Sequence, residues 1–385
     1  KAGQNMPFAL GILDEFVPGK PDEATQITDA QQRLAALTGT ALLELRLHER
    51  APESEKARLV QNRTAHWLVN ILQTGHLPAQ ERFEAGNTLA RLGDPRFCSD
   101  TLYLPDEPLL GFIHIPAGQF YMGSDKKKDS LAYDIELPQH KVELGEYYIA
   151  RYPVTVAQFK AFVDESGHKP QDSDSLSGLP NHPVVSVTWY DAIAYCNWLT
   201  KLLRQGFPLS TSIAGQLAEG WQVAVPTVPP ELIERLQEGW RVTLPSEAEW
   251  ERAVRNTDGR IYPWGAKFDP DKANTGETGI GGTSPVGCFP PGASPEDLLD
   301  ASGNIWEWTR SLWGSDSKKP RFVYPYSGCL AERESQNAGR EILRVMRGGS
   351  WDDLSSVARC AYRFGDYPSR SFKYLGFRIS FKAVC

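Results

Sequence analysis

Cysteine is scarce in this chain: six in 385 residues, Cys98, Cys196, Cys288, Cys329, Cys360 and Cys385. They are scattered, with no Cys-x-x-Cys pair, which excludes a disulfide scaffold and suits a reducing compartment. Histidine is little used as well. The seven histidines form neither a His-Glu-x-x-His nor a His-x-His pattern, so a zinc site has no support. No apolar run reaches membrane-spanning length, and the first residues show no signal-peptide pattern. No membrane span and a cytoplasmic location are therefore expected. Clustered positive charge is scarce too. Lys126-Lys127-Lys128 is the one compact basic run, it sits between Asp125 and Asp129, and the net charge is −7. Neither nucleic acid nor an anionic membrane is expected as partner, and the lysine run reads as a solvated loop.

Tryptophan and proline are abundant, 11 and 28 residues, which favours a loop-rich fold with aromatic anchors. The length suggests two domains. Residues 1–25 read as loose, because Pro7, Pro18 and Pro21 alternate with Gly3, Gly11 and Gly19. Helical spacing then predicts helices over 29–50, 55–73 and 79–92, the last closed by Gly93-Asp94-Pro95. These paired helices resemble HEAT-like repeat units. Residues 1–100 are read as a small helical region, 101–108 as a connector, and 109–385 as the second domain. In that domain, strands 112–115 and 120–122 are predicted to form a hairpin around Pro116-Ala117-Gly118. A single strand is expected over 142–152, and helices over 154–166 and 189–203. Short strands beside two helices give an α+β class. Residues 204–240 read as an insert, in which 219–227 looks like a copy of 238–246.

The stretch at 344–381 has a rigid opening, Arg347-Gly348-Gly349-Ser350-Trp351, and a rigid close, Leu375-Gly376-Phe377-Arg378-Ile379-Ser380-Phe381. Between them there is neither a helical period nor a clean alternation. Small, acidic and aromatic residues mix as they do on adaptable binding surfaces. The candidate ligand-binding residues are Asp352, Asp353, Leu354, Ser355, Ser356, Val357, Ala358, Phe364, Gly365, Asp366, Tyr367, Ser369, Ser371, Phe372 and Tyr374. Trp313, Tyr324 and Tyr326 are expected on a neighbouring loop. Trp351 and Phe377 are the expected buried anchors.

The motifs resemble those of the formylglycine-generating enzyme (sulfatase-modifying factor) family, in the family's order. They run through Ile115-Pro116-Ala117-Gly118, Pro153-Val154-Thr155, Leu244-Pro245-Ser246-Glu247, Tyr262-Pro263-Trp264-Gly265 and Gly303-Asn304-Ile305-Trp306-Glu307-Trp308 to the Gly-Gly-Ser-Trp block. The resemblance implies a C-type lectin-like fold. It also implies a calcium site at Asp300, Gly303, Ile305 and Glu307, and a second at Asn274, Thr275, Thr278 and Ile280, where Thr278 replaces an acid. Family enzymes oxidise a substrate cysteine with a pair of thiols that bind copper. Asp353 and Ala358 stand at those two places here. Cys360 is the one thiol nearby, so no copper is expected.

The same frame resembles the variable region of diversity-generating-retroelement target proteins, which display a hypervariable stretch on this scaffold. The expected function is therefore non-catalytic binding of a ligand, most simply a protein, by a surface within 344–381. The alternatives are a copper-dependent oxidase of the formylglycine-generating type and a sensor module of a signalling NTPase system.

Overall fold

The structure, a computed structural model, describes residues 6–23, 27–207, 227–326 and 330–383. Four helices come first: α1 (Met6–Phe16), α2 (Asp29–Glu44), α3 (Glu55–Thr74) and α4 (Ala79–Leu92). Thr28 and Gln31 start α2 with a reciprocal capping box, Ser54 caps α3, and Gly75 ends α3 at φ 64°. α1 corrects the reading of a loose N-terminal segment. Pro7 falls in its first turn, where no intrahelical N–H is required, and Leu10, Leu13 and Val17 are buried along one side.

The helices are docked on the rest of the chain. Their apolar cluster includes Cys288 and Phe289. Arg82 donates from Nε to the Cys288 carbonyl at 2.8 Å and from Nη2 to the Asp271 carbonyl at 2.7 Å. The ring nitrogens of buried His182 lie 2.8 Å from Asn87 Oδ1 and 2.9 Å from Thr283 Oγ1.

The remainder is α+β. β1 (Phe112–Ile115), β2 (Gly118–Met122), β3 (His140–Leu144) and β4 (Tyr147–Ala150) form a bent ribbon. β1 pairs with β4 and β2 with β3. The expected hairpin is therefore absent: the Pro116-Ala117 corner carries the chain from one sheet to another rather than back on itself. The expected strand over 142–152 is likewise two strands, broken at Gly145-Glu146 where its partner bends. Helices α5 (Val156–Ser166), α6 (Trp189–Gln205), α7 (Pro230–Gln237) and α8 (Glu247–Arg255) follow, with β5 (Trp240–Thr243) before α8. Thr155/Gln158, Thr188/Asp191 and Ser246/Glu249 make capping boxes that start α5, α6 and α8. The proposed copy at 219–227 lies, but for Thr227, outside the described residues.

Then come β6 (Trp306–Gly314), β7 (Leu343–Arg347), β8 (Phe364–Asp366), β9 (Leu375–Gly376) and β10 (Ser380–Ala383). One sheet has the order β1-β4-β10-β5 and another β8-β7-β6-β9. The last strand thus sits between strands from far earlier in the chain, which fixes the close of the 344–381 stretch.

Buried charge joins these parts. Glu247, Glu249 and Glu251 of α8 all face inward. Glu249 takes a two-pronged contact from Arg310 of β6, 2.6 Å to each oxygen, and a third from Lys382 at 2.6 Å. Glu251 pairs with Arg347 and Arg255, and Glu247 accepts from Arg363 at 2.7 Å. Burial opposes ionisation of Glu249, but the charges of Arg310 and Lys382 prevail and bring its pKa down to about 2.

Removing one member leaves the other charged and dry, so Arg310→Met should cost about 3–5 kcal/mol. The ordinary glutamate value is 4.5, so the stability tied to Glu249 ionisation is present above pH 4.5 and lost as pH falls toward about 2. Denaturant melts across that window should show a shallower acid loss in Glu249→Gln than in wild type. Equal slopes would refute the assignment.

Candidate ligand-binding face

Two glycines start the site. Gly348 and Gly349 have φ of 100° and 68°, a region that disfavours side chains. A Cβ on Gly349 would stand 3.1 Å from the Ala358 Cα, so the loop after the turn folds directly back over it. Ser350 then donates from N–H and Oγ to Asp353 Oδ2 at 3.0 and 2.5 Å, and Trp306 Nε1 donates to the same oxygen at 2.8 Å. Asp353 is thus a loop staple and not a free ligand group.

Further along, Glu277 accepts the Ser355 N–H at 2.8 Å, Tyr262 donates its hydroxyl to the Ser355 carbonyl at 3.1 Å, and Arg359 Nε donates to the Ser356 carbonyl at 2.7 Å. The second loop is tied just as closely. Trp189 N–H donates to the Pro368 carbonyl at 3.1 Å and Gln171 Nε2 to the Ser369 carbonyl at 3.0 Å. Ser371 Oγ donates to Asp172 at 3.0 Å. Backbones are held while many side chains point out.

Asp352, Leu354, Phe364, Tyr367 and Ser369 are exposed. Ser355, Ser356, Val357, Asp366, Ser371, Phe372 and Tyr374 are half-buried, with the rings of Phe372 and Tyr374 stacked at 5.3 Å. Burial raises the Asp366 carboxyl above its ordinary value. Two further candidates do not belong to the face. Ala358 is buried, and a Cβ on Gly365 would stand 2.4 Å from the Trp313 ring. Trp313 and Tyr324 are core residues rather than displayed ones, and Tyr326 is half-buried against Glu247. Trp351 is only half-buried, with Lys373 Nζ 4.9 Å over its ring, whereas Phe377 is fully buried. Trp351 is therefore the weaker anchor. Tyr362, half-buried between Tyr133 and Trp306, joins the face although sequence reasoning passed over it.

The place expected to carry a thiol pair holds the Asp353 staple and the Ala358 methyl. Cys360 lies beneath, in a cluster with Trp250 and Leu298. Burial pushes its thiol up to about 12. This arrangement does not fit a two-thiolate copper site.

The implied calcium residues fit in part. Asp300 is buried; its Oδ2 accepts the Gly287 N–H at 2.6 Å, and its Oδ1 has no partner. Burial lifts its carboxyl to about 6, against the Gly287 hydrogen bond and the charges of Arg378 and Arg96. Asn274 Oδ1 and Ser284 Oγ are orphaned as well, on segments that Asn304 joins through Asn304 N–H to the Asn274 carbonyl at 2.7 Å and Ser284 N–H to Asn304 Oδ1 at 2.9 Å. Among the described residues no three His, Cys, Asp or Glu side chains cluster, so an ion here would depend on carbonyl and amide oxygens, the ligands calcium accepts.

Glu307 does not fit as a ligand. Both its oxygens receive Arg378 at 2.7 Å, and Trp250 Nε1 adds a third bond at 2.7 Å. Thr278 Oγ1 is spent on the Ala273 carbonyl at 2.6 Å, and Ile280 packs on the helical cluster. The Thr278 hydroxyl is therefore engaged elsewhere, whereas Ile280 could ligate only through its carbonyl.

Residues 103–383 match the Sulfatase-modifying factor enzyme 1-like domain. The formylglycine-generating enzyme of Bos taurus is 27% identical over 335 residues, spanning 71% of this chain and 75% of that protein. The inactive C-alpha-formylglycine-generating enzyme 2 of Bos taurus is 28% identical over 340 residues, spanning 72% and 90%. Among solved structures, PvdO from Pseudomonas aeruginosa is similar with a TM-score of 0.51 at 23% identity, covering 70% of this chain and 94% of that one. The fold is the C-type lectin-like fold of the formylglycine-generating type.

A cation held at Asp300 would bind the folded state alone, and calcium added to metal-depleted protein should then raise the melting temperature. Asp300→Asn should remove the response. Glu307→Gln should instead lower stability equally with and without calcium, because it strands Arg378. A calcium-independent wild type would contradict the site.

Proposed function

This chain belongs to the sulfatase-modifying factor enzyme 1-like family, and we propose that it is a non-catalytic, ligand-binding member that displays residues 352–374 to a protein. In this reading, residues 1–100 are a helical support and 109–385 the display domain. The display stretch is of the type diversified in retroelement target proteins, and calcium at Asp300 stiffens the loop beneath it. The chain resides in the cytoplasm, in keeping with free Cys98, Cys196, Cys288 and Cys360.

One observation carries the reading. Asp353 and Ala358 occupy the thiol positions that the family resemblance implies, and both are built into the loop. The Asp353 carboxylate accepts three donors. A thiol there would lose the ionic staple that shapes residues 350–353. The name of the inactive Bos taurus relative supports a family in which the scaffold outlives the chemistry. The exposed side chains then have the composition of a protein-contact surface, with Leu354, Phe364 and Tyr367 among acidic and hydroxyl groups.

Reduced protein titrated with Cu(I) and incubated with a sulfatase-type cysteine peptide should neither bind copper stoichiometrically nor convert the peptide, as read by mass spectrometry. Cys329, the second thiol that could complete a pair with Cys360, lies outside the described residues. Copper binding lost in both Cys360→Ser and Cys329→Ser, together with peptide oxidation, would restore the oxidase.

A further inference from the structure

The charged loop after β2 reads in sequence as solvent-exposed filler. The structure gives it a tie to the binding face. Arg359 is almost fully buried and donates from Nη1 to Asp129 at 2.6 Å, from Nη2 to Glu136 at 2.6 Å and from Nε to the Ser356 carbonyl at 2.7 Å. One guanidinium therefore clamps the two ends of the 129–136 loop to the display loop. Charge-assisted contacts of this kind hold geometry well.

Between those ends Ala132 is buried, while Leu131 and Tyr133 on either side remain 56% and 47% exposed. Tyr133 meets Tyr362 edge-on, centroids 5.3 Å apart at 82°. Tyr362 meets Trp306 at 5.9 Å, and Trp306 meets Phe364 at 6.3 Å. The aromatic contacts run unbroken from the charged loop to the display strand. Exposed apolar side chains held rigidly side by side mark protein-contact sites. The 125–136 loop mixes Lys126, Lys127 and Lys128 with Asp125, Asp129, Asp134 and Glu136. Lys126 is paired with Asp134 at 2.7 Å. Lys127 and Lys128 are exposed, with no ion pair among the described residues.

We propose that Leu131 and Tyr133 form a constant half of the ligand-binding face, seating an apolar or aromatic side chain of a protein partner whose flanking residues are acidic. Residues 352–374 supply the changeable half. The inference rests on the binding reading above. It divides the labour: the 129–136 loop lies outside the Gly-Gly-Ser to Gly-Phe-Arg frame and supplies the same contact whatever the display loops carry, and Lys127 and Lys128 orient the approach.

The probe is a phage-displayed library of random linear peptides selected on the whole chain. Binders should be rich in an aromatic or large apolar residue beside Asp or Glu. Each should weaken about tenfold or more in Leu131→Ser/Tyr133→Ser, and also in Leu354→Ser/Phe364→Ser/Tyr367→Ser. Lys127→Glu/Lys128→Glu should weaken them most at low salt. All these side chains are exposed, so the variants should melt with wild type. Binders lost only in the 354/364/367 variant would overturn the constant half and leave the display reading intact. A selection without the expected composition would likewise overturn the constant half alone, and binders indifferent to both apolar variants would overturn both readings.

Discussion

The arrangement of this protein depends on carboxylates that cannot be buried alone. Helix α8 carries Glu247, Glu249 and Glu251 into the interior, where an unpaired carboxylate is costly. Each meets a guanidinium from the C-terminal part of the chain: Arg363, Arg310 and Arg347. Two of those arginines border or lie within the display stretch. Glu307 and Arg378 add a further pair at its close. Such pairs give little net stability over well-packed apolar residues, but a wrong register strands charge. They act as pins, and they place the frame independently of the side chains between them.

The same logic accounts for where the loops leave the frame. Arg347 and Arg378 are fixed points, and everything from Asp352 to Tyr374 is strung between them. The intermediate residues that face inward are themselves pins: Arg359 to the 129–136 loop, Arg363 to Glu247, and Gly365 flat against Trp313. Ala358, Cys360 and Ala361 are buried beside them and Asp353 is stapled, which leaves Asp352, Leu354, Phe364, Tyr367 and Ser369 among the residues that face outward. Asp300 is the exception among the buried acids of the described residues: its Oδ2 accepts the Gly287 N–H, its Oδ1 has no partner, and no base pairs with it. Arg344, like Arg82, is buried with no carboxylate partner among the described residues. It stacks 4.1 Å over Trp189 with only carbonyls to bond, and burial lowers its pKa to about 10.

Much of this was legible in the chain. Helix α4 has the limits its apolar spacing and Gly93-Asp94-Pro95 predict, and the frame of 344–381 is visible as two glycine-anchored blocks. Other features had no local signal. Pro116-Ala117-Gly118 has hairpin chemistry, yet the strands beside it belong to different sheets, a choice made by pairing partners some thirty residues away. Arg359 is separated by more than two hundred residues from Asp129 and Glu136, so neither the clamp nor the exposure of Leu131 and Tyr133 could be read from spacing. Gly365 and Ala358 looked like members of a small-residue loop. Only the packed Trp313 ring and the Gly348-Gly349 turn show that their smallness is steric. Glu307 looked like a metal ligand until Arg378 and Trp250 filled its oxygens.

The central claim is that a pinned interior carries a replaceable surface. A saturation library over 351–374, displayed on cells and sorted for folded protein, tests it directly. Exposed Asp352, Leu354, Phe364, Tyr367 and Ser369 should accept nearly every residue, since exposed positions usually shift stability by about half a kcal/mol or less. Ala358, Arg359, Arg363 and Gly365 should accept almost none. Uniform intolerance across the stretch, or free replacement of Arg363 and Gly365, would contradict the account.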